Sequence, residues 1–146
     1  MQEKEILDQC LTDGVQKIVV GAVIKHDNKS LCIKRASDDF MGELIELPSG
    51  SKDVCESLIE SLKREIKEET GIDLNEEVEL DYVNSFDYVS GSGKNTRQVN
   101  FLIELNEQPV VTLNPLEHIE YYWLKKEELS NYNISEHTKN TILKCI

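Results

Sequence analysis

The stretch from Asp53 to Gly71 constrains this chain most, because it is a helix pattern with its charges in an awkward place. Leu58, Leu62 and Ile66 recur every four positions with Ile59 beside them, a core-facing stripe. Gly71 follows as a helix-terminating residue. Glu65, Glu68 and Glu69 stand at i, i+3 and i+4, so they share one face, where like charges repel. They also lie in the last turn, where the helix dipole disfavours anions. At about 100° per residue, Glu69 falls about 40° from Glu65 and Leu62 about 60° from it, so Glu69 continues the azimuth of the buried stripe. A helix is free to carry surplus acids on its solvated face. Three carboxylates bunched at one end and turned partly toward the fold need a cation, and oxygen ligands with open water positions suit Mg²⁺ or Mn²⁺. Taken alone, the helix also fits an ordinary acidic surface with Arg64 and Lys67 as counter-charges.

Around this helix the chain reads as strands and short helices. Ile6 to Leu11 is a short helical lead-in. Ile18 to Ile24 is a continuous β-branched run, expected as a strand buried on both faces. His26-Asp27-Asn28-Lys29 is turn chemistry, and Leu31 to Lys34 returns as a second strand. A loop from Ala36 to Gly42 precedes a short extended piece, Leu44 to Leu47, stopped by Pro48-Ser49-Gly50. Leu80 to Val89 and Val99 to Leu105 read as strands separated by the loop Ser90 to Asn95. Ile119 to Leu124 makes another strand, and Ser135 reads as the N-cap of a C-terminal helix reaching Cys145. The expected fold is α/β, with helices on both faces of a mixed sheet, in one domain spanning residues 1–146.

The net charge of −12, from 16 basic and 28 acidic side chains, repels a phosphate backbone, so long nucleic acid is not an expected partner. A small phosphorylated substrate stays open, because divalent cations can sit between acids and phosphates. No apolar run approaches the roughly 20 residues needed to span a bilayer, so no membrane role is expected. The acidic start, with Glu3, Glu5, Asp8 and Asp13, is unlike a signal peptide, and the protein reads as cytoplasmic. Cys10, Cys32, Cys55 and Cys145 form no C-x-x-C pair and read as reduced thiols. His26, His118 and His137 are isolated and are given no metal role.

The residues from Gly50 to Ile72 resemble the signature of the Nudix hydrolases, G-x5-E-x7-R-E-U-x-E-E-x-G-U, with U a bulky aliphatic residue. The chain has Gly50, Glu56, Arg64-Glu65-Ile66, Glu68-Glu69 and Gly71-Ile72 in register, without insertion. Lys34-Arg35, Glu46-Leu47-Pro48 and Glu117, six residues before Trp123, extend the resemblance along most of the chain. Ser49 departs from it, since many members have glycine there. The resemblance implies an α/β/α sandwich and a hydrolase that breaks the diphosphate linkage of a nucleoside diphosphate derivative.

It further implies Glu65, Glu68, Glu69 and Glu117 as ligands of Mg²⁺ or Mn²⁺. Which of them takes a proton from water stays open, with Glu65 the choice taken and Glu68 beside it. Arg64 orients the carboxylates, pairing with Glu68 one turn on. Glu56 braces the loop or a peripheral metal. Lys34 and Arg35 can reach substrate phosphates, with Arg97 a weaker candidate. Tyr82, Phe86 and Tyr88 alternate onto one strand face and can stack on a base, or simply pack the sheet. Tyr88 lies where some diadenosine-polyphosphate hydrolases carry a tyrosine. The proline common in ADP-ribose hydrolases is absent. Where enzymes for oxidised guanine nucleotides place a base-reading asparagine, His137 or Thr138 stands, with Asn140 near. A nucleoside triphosphate is the first choice of substrate. Dinucleoside polyphosphates, nucleotide sugars and a non-catalytic nucleotide-binding regulatory module are the alternatives. Isoprenoid diphosphate isomerases of this fold use a cysteine motif that is absent here. Monomer and homodimer both remain open.

Overall fold

The structure is a computed structural model describing residues 2–38 and 42–146, so the expected loop Ala36 to Gly42 lies partly outside the described residues. The long apolar run becomes the central strand. β1 (Lys17–His26) is buried from Val19 to Ile24 and pairs in parallel with β6 (Asn95–Glu104). Asp27 and Asn28 take left-handed backbone, φ 50° and 59°, as a tight two-residue hairpin requires. β2 (Lys29–Arg35) then returns antiparallel. Among the described residues β1 and β2 stay paired only beside the turn, at Lys25↔Ser30 and His26↔Lys29.

Beyond that point the two strands part, and two short strands fill the fork. β3 (Ile45–Glu46) pairs with β2, and β4 (Ser49–Ser51) pairs with β1 through Val20↔Gly50 and its neighbours. β5 (Asp81–Val89) lies antiparallel to β6, and β7 (His118–Leu124) runs along β2. The strand order is β3-β2-β1-β6-β5, with β4 against β1 and β7 against β2.

Alternation along β1 and β6 divides the core into two layers. Val20, Ala22, Ile24, Val99, Phe101 and Ile103 meet α1 (Glu3–Thr12) and α2 (Leu58–Thr70). Val23 faces the opposite layer, where Leu47 meets Leu129 of a 3₁₀ turn (Lys126–Asn131) and Ile142 of α3 (Glu136–Leu143). Leu58, Leu62 and Ile66 are fully buried, each side chain contributing about 1.5–3 kcal/mol. The helices therefore cover both faces of a mixed sheet, as expected.

Several boundaries differ from the sequence reading. α2 begins at Leu58, not Asp53, because Ser57 and Glu60 form a reciprocal capping box. Gly71 ends it in left-handed backbone at φ 72°, as its position predicts. β4 was not expected as a strand; it is too short to show a period and is set by its pairing to β1. β6 starts at Asn95 because the turn closes tightly through Ser90 and Lys94. A register shift between Tyr82 and Asn84 turns Tyr82 onto Phe101 and the α1/α2 layer, so it does not share a face with Phe86 and Tyr88. α3 ends at Leu143, short of Cys145. All four cysteines are free, and no helix of the described residues is long and apolar enough to cross a membrane.

The cap is a local determinant that can be measured. Ser57→Ala is expected to lower unfolding stability by about 1 kcal/mol, with Ser57→Thr close to wild type. Denaturant titration reads this as a shifted midpoint at constant slope. An unchanged midpoint would mean that contacts of the preceding loop, not the cap, set the helix start.

Candidate active site

The fork between β1 and β2 opens into a polar cleft of about 370 Å³. The last turns of α2 bring Glu65 and Glu69 to it, β3 brings Glu46, and the end of β2 brings Arg35. Glu117 and His118 enter from the start of β7, Gln98 from β6 and Tyr88 from β5. Residues scattered from the first strand to the last thus meet where the central hairpin splits.

Arg64 fastens the helix to the loop before it. Its Nε and Nη2 donate to Glu56 at 2.8–3.0 Å, its Nη1 to Glu65 at 2.8 Å, and its Nη2 to the Ser51 carbonyl at 3.1 Å. Its bonds to Glu68 are longer, 3.4 and 3.5 Å. The sequence pairs Arg64 with Glu68; the fold gives it Glu56 and Glu65 as closer partners. Hydrogen bonds from Arg64 hold the Glu56 carboxyl down at about 2, which fits a bracing residue. Glu68 is 56% exposed and stands outside the lining of the cleft.

Glu69 is placed as its azimuth foretold, with its side chain only 8% exposed. The Ser49 N–H donates to its Oε1 at 2.7 Å. Burial nevertheless pushes its carboxyl up to about 9, against that hydrogen bond and reinforced by the negative charges of Glu46, Glu65 and Glu117. Serine in place of glycine at 49 costs no strain, because its backbone is not left-handed. Gly50 is different: a Cβ there would lie 2.0 Å from the Glu65 carboxyl. Burial also raises the Glu65 carboxyl above its ordinary value, outweighing the pull of Arg64.

His118, 3% exposed, was given no role from sequence. Its Nε2 lies 2.9 Å from Glu46 Oε2, and Glu46 in turn accepts from Arg35 Nη1 at 3.2 Å. Its Nδ1 lies 3.9 Å from Glu69 Oε2 and has no hydrogen-bond partner among the described residues. Ligand atoms of Glu69, Glu117 and His118 all fall within 4.8 Å of one another. The adjacent pair Glu117-His118 is the one sequence signal that could have marked it.

A second, more apolar cavity of about 340 Å³ adjoins the cleft, lined by Leu44, Leu47, Phe86, Tyr88 and His137 among others. Phe86 and His137 stack with centroids 4.7 Å apart and planes within 8°. Thr138 lines this cavity too, whereas Asn140 does not. Gln98 borders both spaces, and sequence reading missed it by starting the strand at Val99. Its Nε2 donates to Asn100 Oδ1 at 2.9 Å, and Asn100 Nδ2 donates to Asn84 Oδ1 at 3.1 Å. Gly21 makes room for this pair: a Cβ there would lie 2.6 Å from Asn100 Oδ1 and 2.7 Å from Gln98 Nε2.

Two cation candidates are placed elsewhere. Arg97 is bound by Asp87 at 2.7 and 2.9 Å and by Asp13 at 2.9 Å, so its charge is taken up away from the cleft. Lys34 lines neither cavity, while its neighbour Arg35 lines both.

The chain is similar to known proteins both in sequence and in fold. Over 55 residues the chain is 44% identical to an ADP-ribose pyrophosphatase of Methanocaldococcus jannaschii, covering 38% of this chain and 32% of that protein. Over 56 residues it is 41% identical to the 8-oxo-dGDP phosphatase NUDT18 of Danio rerio, covering 38% of this chain and 17% of that protein. These curated relatives are thus matched over a third of their length or less. The fold is similar to the crystal structure of a MutT NUDIX hydrolase from Burkholderia pseudomallei, with TM-score 0.76 and 22% identity, covering 89% of this chain and 98% of that one. The family model of the NUDIX domain matches residues 15–145, nearly the whole chain, and the chain belongs to that family.

Proposed function

We propose that the protein hydrolyses the diphosphate linkage of a nucleoside diphosphate derivative, with conversion of a nucleoside triphosphate to the monophosphate and pyrophosphate as the first choice. The observation that carries this reading is the buried Glu69 carboxylate beside Glu65 and Glu117, in a polar cleft that adjoins an apolar cavity. Carboxylates gathered so closely, one of them buried, fit divalent cations. In this reading Glu65, Glu69 and Glu117 are ligands from within the cleft, Glu117 completing a second metal's shell, and the exposed Glu68 is a ligand from outside its lining. Both curated relatives carry names of enzymes acting on nucleoside diphosphate compounds.

Bound there, Mg²⁺ or Mn²⁺ neutralises phosphate oxygens and lowers the pKa of a water molecule. Glu65 takes the proton of the attacking water, burial having raised its proton affinity above that of an ordinary glutamate. Arg64 holds that carboxyl in place from one side and the Glu56 loop from the other. Arg35, steadied by Glu46, presents its guanidinium to the phosphates. Tyr88 and the stacked Phe86–His137 pair receive the base at the apolar cavity. The net charge of −12 favours a small substrate over long nucleic acid.

A panel of nucleoside triphosphates, dinucleoside polyphosphates and nucleotide sugars, incubated with Mg²⁺ or Mn²⁺, is expected to yield a nucleoside monophosphate. Glu65→Gln and Glu68→Gln should lower that rate by at least about 100-fold. Nucleotide binding without turnover would instead identify a regulatory module. Gly50→Ala displaces the Glu65 carboxyl, and a loss of about 10–100-fold in kcat with little change in KM is expected; full activity would show that Glu65 need not sit there.

The Glu69 carboxyl also sets a pH dependence. Its folded-state value near 9 exceeds the ordinary 4.5, so the folded state keeps a proton that the unfolded chain has released. Cation-free stability therefore falls as pH rises between those values, by at most about 1.4 kcal/mol per pH unit from this group. Melting curves should show the decline from pH 5 to 9 without divalent cations, a shallower one with Mg²⁺, and a shallower one in Glu69→Gln. Equal slopes in all three would remove Glu69 as the source.

A further inference from the structure

His118 is a buried polar group beside Glu69 and Glu117 with no task in the proposed hydrolysis. Its two ring nitrogens have opposite tasks. Glu46 also accepts from Arg35 Nη1, so the 2.9 Å contact between His118 Nε2 and Glu46 Oε2 is satisfied when Nε2 carries the ring proton and donates it. The tautomer follows from that network. Nδ1 is then left with a bare lone pair. It points at Glu69 Oε2 from 3.9 Å, too far for a hydrogen bond, and it has no other partner among the described residues. Once Glu69 is ionised, two acceptors are buried face to face, an arrangement that is unfavourable unless something positive lies between them.

Glu117 closes the third side, its carboxylate within 4.8 Å of the other two ligand atoms. The arrangement has the form of a metal-bound imidazole, whose far N–H is almost always given to a carboxylate that fixes the ring. Resting on the assignment of Glu69 and Glu117 as cation ligands, we propose that His118 Nδ1 is a metal ligand, and that the Glu69–Glu117–His118 position prefers a first-row transition dication such as Mn²⁺ to Mg²⁺. The physical reason is ligand softness: imidazole nitrogen suits transition metals, whereas Mg²⁺ favours an all-oxygen shell.

The experiment uses the full chain, freed of cations with a chelator and loaded with Mn²⁺ in the absence of nucleotide. Pulsed electron paramagnetic resonance should detect ¹⁴N coupling from a directly bound imidazole, and the wild-type spectrum decides this without any variant. In His118→Gln the coupling should vanish and Mn²⁺ affinity, read by calorimetry, should fall about tenfold or more, with Mg²⁺ affinity changing less. His118→Asn serves the same purpose if the glutamine variant does not fold. Mn²⁺ bound without nitrogen coupling, or coupling that survives the substitution, overturns this inference alone and leaves His118 as a brace for Glu46. Failure of the wild type to bind either cation overturns it together with the cation site of the proposed function.

Discussion

The close approach of β4 to the last turns of α2 is the constraint on which the site depends. Three consecutive residues of this short strand each meet one charged side chain of the helix. Ser49 donates its N–H to Glu69, Gly50 leaves the space that the Glu65 carboxyl fills, and the Ser51 carbonyl accepts from Arg64. Because β4 is paired to the buried central strand, these contacts tie the helix's charges to the centre of the sheet. The splitting of the β1/β2 hairpin is what admits β4 to that place. Fold and site are therefore one construction: a hairpin that stayed zipped would leave the carboxylates with nothing to hold them.

The same construction concentrates unfavourable charge. Glu56 and Glu65 are neutralised by Arg64, and Glu46 by Arg35. Glu69 and Glu117 have no arginine or lysine ion pair among the described residues, and Glu69 is the more deeply buried. Burying such a carboxylate is tolerated because stabilising elements surround it. The capping box, the three fully buried aliphatic residues and the left-handed Gly71 fix α2 independently of its charged end. Stability is supplied along the length of the helix, and its last turns are left free to hold an arrangement that is unfavourable by itself.

This division explains how much could be read in advance. The helix, its stripe and the inward turn of Glu69 are encoded within one contiguous segment and obey a single period, so they were legible. The Asp27-Asn28 turn and the buried strand before it were legible for the same local reason. β4 was not, because three residues show no period and its identity as a strand lies in its partner. Tyr82 was assigned the wrong layer because one extra residue at the register shift reverses every side chain before it. Arg97 looked available beside a flexible loop, but its partners Asp13 and Asp87 come from other elements. His118 met Glu46 and Glu69 only through the pairing of β7 with β2, which no spacing rule contains.

Chemistry and recognition are accordingly encoded in different ways. The charged cleft is gathered from every strand, but Ser49, Gly50 and Ser51 and then Glu65 and Glu69 follow one another in one contiguous segment, in a recognisable order. The adjoining apolar cavity is assembled from Leu44 and Leu47, Phe86 and Tyr88, Gln98, and His137 with Thr138, segments far apart in the chain. Its polar wall is also set at a distance: Gln98 leans on Asn100, Asn100 on Asn84, and Asn84 on Thr141 of α3. A change in α3 can thus reach the wall of the cavity without touching a carboxylate of the cleft. Such a chain fixes amide orientation as well as position, since each carboxamide that donates at one end must accept at the other. Under the proposed function, the substrate's phosphates would face residues that a linear signature can specify, while its remaining half would face surfaces that exist only once the sheet is folded.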